Sequence, residues 1–381
     1  MKNLIGGKFV DASNGEKADV INPATNELID TVPLATEEDV DLCVKEAAKA
    51  QKGWAKMPLH ERGEILYKFA DLVEANHEEL AQLLSKETGK PIKEARAEIS
   101  NTKHFIHGYV EKAKHDYGNV IPAGSEVGQE KTMQITVQQP LGVVACIIPF
   151  NFPCDLFGQK VPSALIMGNS VIVKPSTDNP LTLHRYCELL KDAGVPDGVI
   201  NCISGRGSVT GNALAKHPQV ALISVTGSTE VGAEVMANAA ANITHVMLEL
   251  GGNDAFIVMD DADMDLTMKE LVWGRLYNTG QVCCASKRFL VQKGIKDEFI
   301  KKAVETLQSL KVAMPQQEDA DIGCLINEKA AINAEEQVRK TLDQGATLVY
   351  GGRRNGAFFE PTIIDNVTKD MDVMKDMEIF A

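Results

Sequence analysis

Between residues 141 and 250 the chain repeats one unit: a short apolar run, a turn, then a segment with helical spacing. Residues 143–148, 171–173, 199–203 and 221–225 are strand-length runs rich in Val, Ile and Leu. Residues 161–167, 181–190 and the Ala-rich 231–241 lie between or after them and read as helices. A strand that is apolar on both faces needs cover on both sides. The repeat therefore predicts an α/β protein built on a parallel sheet flanked by helices. Ligands of such sheets bind at the carboxyl ends of the strands, so the residues just after each run are the first candidates for chemistry.

The flanking segments read differently. Residues 36–115 carry apolar positions at three- and four-residue spacing, as in Val40, Cys43, Val44 and Ala47, or Ile65, Leu66, Phe69, Leu72 and Val73. Thr36-Glu37-Glu38-Asp39 supplies a helix cap followed by acid in the first turn. Residues 122–124 form a loop, and 132–137 alternate as a half-exposed strand. A second unit begins near Gly251-Gly252: strand 255–259, helix 266–277, a Cys-bearing turn, strand 289–291 and helix 299–310.

A length of 381 residues suits two or three domains. Lys and Arg number 39 against 53 Asp and Glu, a net charge of −14. So acidic a surface repels phosphate backbones and anionic head groups, so neither nucleic acid nor membrane is expected as a partner. The longest apolar run, residues 142–148, stops at Pro149, far short of the ~18–20 residues of a membrane helix. The amino terminus has no apolar segment with a cleavage site, so a cytoplasmic protein is expected. The eight Cys include no C-x-x-C pair, which predicts free thiols and no zinc or other metal site.

Several segments have the residue types that chemistry needs. In Asn278-Thr279-Gly280-Gln281-Val282-Cys283-Cys284-Ala285, a turn between helix and strand, a Cys can be exposed and its pKa lowered by surrounding N–H groups. The alternative is two small buried hydrophobes. Glu249 stands between leucines before Gly251-Gly252, where a carboxylate is costly to bury ionised and a raised pKa suits a general base. A strand-end carboxylate reaching solvent is the other reading. Asn151, in Pro149-Phe150-Asn151-Phe152-Pro153, is either an oxyanion donor at a strand end or a helix cap. Lys174 at the end of 171–173 is either a nucleotide ligand or a solvated terminus. Residues 227–232 form a glycine-bearing turn whose N–H groups suit an anion. The acidic run 260–265 is better explained by helix capping than by cation binding, and His104 and His107 lack a third ligand.

Taken together, these segments resemble the NAD(P)-dependent aldehyde dehydrogenase family, and the motif wording is nearest its succinate-semialdehyde branch. The resemblance runs from 21–27 through 149–153, 173–176, 227–232, 248–252 and 278–285 to Glu378-Ile379-Phe380, in family order. It implies a Rossmann-like cofactor domain (1–121 and 141–250), an oligomerisation arm (122–140) and an α/β catalytic domain (251–381). The catalytic roles it implies are Cys283 as nucleophile, Glu249 as general base and Asn151 as oxyanion donor. For the cofactor it implies Lys174, Ser176, Thr177, Gly207, Thr226, Gly227, Ser228, Glu378 and Phe380. It also implies a homodimer or homotetramer, and a chain longer than this one, so a C-terminal truncation is expected. Gln159, Tyr277 and Cys284 fall at the substrate pocket. Neither Gln159 nor Tyr277 is cationic, where the semialdehyde branch often has arginine, so a short aliphatic or hydroxylated aldehyde is equally compatible. Thr177 replaces the acid that favours NAD, which leaves room for a 2′-phosphate and points to NADP or dual use. A Cys-dependent hydrolase or acyltransferase, or a non-catalytic truncated relative, are the competing readings.

Overall fold

The computed structural model describes residues 1–375. It opens with an antiparallel pair, β1 (Asn3–Ile5) and β2 (Lys8–Val10), and a second pair, β3 (Lys17–Ile21) and β4 (Leu28–Pro33). Four helices follow: α1 (Glu37–Trp54), α2 (Leu59–Ala75), α3 (His77–Thr88) and α4 (Ile92–Lys114). The expected cap is present. Thr36 Oγ1 accepts from the Asp39 N–H at 3.2 Å, and Asp39 Oδ2 accepts from the Thr36 N–H at 2.9 Å. The expected strand at 132–137 shortens to two residues. An exposed hairpin joins β5 (Val120–Ile121) to β6 (Gln134–Ile135), and among the described residues no other element covers it.

The repeat then follows, with α7 and β11 added to the elements read from the sequence: β7 (Val143–Ile147), α5 (Pro153–Ile166), β8 (Ser170–Lys174), α6 (Leu181–Ala193), β9 (Ile200–Cys202), α7 (Asn212–Lys216), β10 (Val220–Thr226), α8 (Thr229–Ala239) and β11 (His245–Glu249). The sheet order is β11-β10-β7-β8-β9-β1-β2, with β11 through β9 parallel and β1 antiparallel to β9. Successive side chains of β7 and β8 enter opposite layers. Val144, Cys146, Val171 and Val173 pack with Phe69, Ile106, Phe157 and Tyr186. Val143, Ala145 and Ile172 pack with Val40, Val44, Leu214 and Val235. Both faces are covered, which is why these strands show no polar alternation.

Strand order runs outward from β7 in both directions, through β8 on one side and β10 on the other. The crevice beyond the carboxyl ends of β7 and β10 is thus the topological switch point, where ligands of such sheets bind. Asn151 follows β7, and Gly227 follows β10.

The second unit pairs β12 (Asp254–Val258) in parallel with β13 (Ser286–Val291). Helix α9 (Met264–Leu271) and α10 (Lys296–Ser309) pack on them through Val258, Met268, Leu271, Phe299 and Leu307. The helix expected over 266–277 is interrupted: Val272–Leu276 is a π turn, and Tyr277–Gly280 holds left-handed residues. Helix α11 (Glu328–Asp343) and two short antiparallel pairs complete the described part.

Candidate active site

The Cys-bearing turn has an uncommon backbone. Asn278, Thr279 and Gly280 lie consecutively at φ 52°, 54° and 79°. Only the glycine takes this conformation freely; for the β-branched Thr279 it is an outlier, which persists only when neighbours over-determine it. Those neighbours are visible. Asn278 and Gln281 are buried. Gln281 donates Nε2 to the Asn278 carbonyl at 3.1 Å and accepts on Oε1 from the Ile326 N–H at 3.0 Å. Arg275 Nη1 reaches the Gly280 carbonyl at 3.2 Å, and the Asn278 N–H donates to Glu94 at 2.7 Å. The turn is pinned inside, and Cys283 and Cys284 emerge on its outer side.

Of the eight cysteines, those two alone are exposed; Cys43, Cys146, Cys154, Cys187, Cys202 and Cys324 are buried. The reading of Cys283 and Cys284 as buried hydrophobes is thereby excluded. The expected lowering of the Cys283 pKa is not what the surroundings give. Partial burial of the sulfur, and then Cys284, push it up, while the Cys284 N–H and Lys287 pull the other way.

Asn151 meets this turn across the switch point. Its Nδ2 donates to the Gln281 carbonyl at 3.0 Å, and its own carbonyl accepts from Asn278 Nδ2 at 2.9 Å and Lys90 Nζ at 2.9 Å. It does not cap the following helix, for α5 starts with no side-chain cap. The segment after Glu249 approaches from a third side. A Cβ on Gly252 would lie 3.3 Å from the Cys283 carbonyl oxygen, and Lys287 Nζ bridges the Gly252 and Cys283 carbonyls. Glu249 itself departs from expectation. In β11 the pattern alternates, so Leu248 and Leu250 turn inward and Glu249 is exposed, which fits the reading of a strand-end carboxylate reaching solvent.

Around the crevice, Lys174 is buried at the end of β8, with Nζ on the Pro175 carbonyl at 3.1 Å, which excludes the solvated-terminus reading. Burial pushes its pKa down to about 8, against the pull of Asp178. Ser176 and Thr177 are half-buried beside it. Thr226 and Asn179 each bury a side-chain oxygen with no hydrogen-bond partner among the described residues. Gly227 donates its N–H to the Glu249 carbonyl at 3.1 Å, and Ser228 caps α8 by accepting from the Val231 N–H at 3.3 Å. Gly207 is exposed and begins a π turn. Buried cation, orphaned oxygens and a helix N-terminus fit an anionic dinucleotide. Glu378 and Phe380 lie outside the described residues. At the substrate side, Tyr277 stacks on Phe152 with centroids 5.8 Å apart and leans on Trp273 at 4.7 Å, while Gln159 is exposed on α5.

Sequence reasoning missed Lys90, Glu94, Glu98 and Lys160. Lys160 donates to Ser224 Oγ at 2.8 Å and lies within electrostatic reach of Glu249. Its place on α5, the helix that follows the Asn151 loop, was the available signal. No cluster of three or more His, Cys, Asp or Glu suited to a metal occurs among the described residues. No helix there is long and apolar enough to cross a membrane.

This chain belongs to the aldehyde dehydrogenase family, which it matches over residues 9–381. It oxidises an aldehyde with NAD(P)+ as hydride acceptor, and the thiol-hydrolase reading is set aside. Among the curated relatives it is 38% identical to the D-glyceraldehyde dehydrogenase (NADP(+)) of Picrophilus torridus, over 100% of this chain and 78% of that protein. It is 37% identical to the NADP(+) succinate-semialdehyde dehydrogenase of Escherichia coli, over 98% of this chain and 77% of that one. Among solved structures, 3,6-anhydro-L-galactose dehydrogenase superposes with a TM-score of 0.94 at 36% identity, over 98% of this chain and 79% of that chain.

Proposed function

We propose that Cys283, Glu249 and Asn151 carry the oxidation, and that the substrate is a short, uncharged, hydroxylated aldehyde with NADP+ preferred. The observation that supports the site most directly is the hydrogen bond from the Asn151 amide to the turn that presents Cys283, formed at the switch point of the sheet. The thiolate of Cys283 attacks the aldehyde carbon. The resulting oxyanion is held by Asn151 Nδ2 and the Cys283 N–H, where losing one donor costs ~10²–10³ in rate. A bound NAD(P)+ would supply the hydride acceptor for this carbon. The thioester left on Cys283 is cleaved by a water that Glu249 deprotonates, releasing the free acid.

Lys174, Ser176, Thr177, Thr226, Gly227 and Ser228 would hold the dinucleotide, with Gly207, Glu378 and Phe380 as further contacts. Thr177 is neutral, which leaves room for a 2′-phosphate. Gln159 and Tyr277 bring no positive charge to the substrate pocket beside Cys284, which favours a neutral aldehyde such as those of the glyceraldehyde class. Residues 1–121 and 141–250 form the cofactor unit on this reading, and residues from 251 the catalytic one. The exposed apolar side chains of Val127, Met133, Ile135 and Val137 suit residues 122–140 to an arm between copies, in a homodimer or homotetramer acting in the cytoplasm.

A panel of neutral and carboxylated aldehydes, run with NAD+ and NADP+, tests substrate and cofactor. Cys283→Ala is expected to abolish oxidation, and Glu249→Gln to leave an initial burst of NAD(P)H. Undiminished steady turnover in either variant removes that residue's role.

A further inference from the structure

The first turns of α4, with Lys90 just before it, reach both walls of the site. Lys90 pairs with Glu98 and donates to the Asn151 carbonyl at 2.9 Å. Glu98 accepts from the Cys154 N–H at 2.8 Å. One turn from each lies Glu94, whose Oε2 accepts the Asn278 N–H at 2.7 Å, far across the sequence. Glu94 is 7% exposed, and no salt bridge closes on it among the described residues. A buried carboxylate with one such partner is costly, and desolvation pushes its pKa up to about 7. The bond falls on the first residue of the left-handed run Asn278-Thr279-Gly280, a conformation that needs outside restraint.

We propose that Glu94 is a positioning residue: by accepting the Asn278 N–H it locks the left-handed run and so fixes where Cys283 stands relative to Asn151. The proposal rests on Cys283 being the nucleophile. Glu94 touches neither substrate nor sulfur and acts through the turn alone. Misplacement of a reacting group by about 1 Å can cost ~10² in rate, so the bond is worth far more to catalysis than to folding.

The test compares Glu94→Ala with Glu94→Gln in the full chain. Readouts are kcat, the aldehyde KM, and the pH dependence of Cys283 alkylation by iodoacetamide, mapped by peptide mass spectrometry. Glu94→Ala is expected to lower kcat by about 10- to 100-fold, with the aldehyde KM changed less than about threefold. Its alkylation profile should shift along the pH axis. Glu94→Gln keeps a carbonyl acceptor and should return kcat and the profile to within about threefold of the parent. If Glu94→Ala fails to fold, Glu94→Asp, one methylene short of Asn278, takes its place with the same expectation. A native kcat and profile in the acceptor-lacking variant overturns the proposal, and so does a Gln variant as impaired as Ala. Undiminished turnover in Cys283→Ala, by contrast, overturns the underlying assignment of the nucleophile, whatever Glu94 does.

Discussion

Asn151 and Gln281 are joined by a hydrogen bond of 3.0 Å from the asparagine amide to the glutamine main-chain carbonyl. One residue follows the central strand of the sheet; the other precedes Cys283 in the turn before β13. The bond ties the edge of one α/β unit to the nucleophile candidate of the other.

Asn151→Ala removes the side-chain oxyanion donor. We expect kcat to fall ~10²–10³-fold. Steady-state kinetics measures this, and thiol titration of Cys283 on the same sample should show the sulfur still accessible. A loss below about threefold would leave Asn151 a purely structural link.

Lys174 should make cofactor affinity pH-dependent. Its ammonium is held by burial at about 8, so it is charged at pH 7 and neutral above that value. The Kd for NADP+ should weaken by roughly tenfold between pH 7 and 9.5, the size of one lost charge-assisted hydrogen bond. Lys174→Met should bind weakly at pH 7 and show no further weakening. Calorimetry at several pH values separates the two curves.

Thr279→Gly relieves a β-branched residue of a left-handed backbone, at φ 54°. Relief of about 1–3 kcal/mol outweighs the extra chain entropy of glycine, about 0.5–1 kcal/mol. The variant should unfold at higher urea concentration than the parent, by about 1 kcal/mol, while its turnover drops because the turn is less restrained. Unchanged stability would mean that the strain is relaxed in solution.

Glu87 supports the start of α6 from α3. It accepts from the N–H groups of Leu181 at 2.8 Å and Thr182 at 3.0 Å. Burial raises its pKa from 4.5 to about 7. The folded chain therefore holds a proton that the unfolded chain releases first, and the stability Glu87 contributes is full below 4.5 and lost as pH rises to about 7. Glu87→Ala should cost about 2–3 kcal/mol at pH 5 and less at pH 8, read from urea midpoints. A deficit that grows with pH would reverse the sign.

The α/β architecture was legible because 143–148 and 171–173 are apolar on both faces, the pattern of a doubly covered sheet. Helix α5 starts at Pro153, ahead of the 161–167 segment read as helical, because proline fits the first helical turn. Cys283, Asn151 and Lys174 stood out as candidates because each stands at a strand end or turn with a side chain that packing alone does not ask for. Glu249 was misread in its surroundings, because flanking leucines say nothing of which face of an edge strand the residue takes. Lys90, Glu94 and Glu98 escaped notice altogether. In sequence they are three charges on or just before a Lys- and Glu-rich helix, indistinguishable from a solvated face. Their partners Asn151 and Asn278 lie far along the chain, and only the tertiary arrangement turns that helix face inward.

The division of the sulfurs has a practical outcome. Burial raises the thiols of Cys43, Cys146, Cys154, Cys202 and Cys324 and seals them from solvent, whereas Cys283 and Cys284 share one outward-facing loop. A sparing dose of electrophile given to intact protein should therefore mark a single peptide. Any label found elsewhere counts molecules that have come apart, so one mass spectrum reports occupancy of the reactive loop and integrity of the interior together.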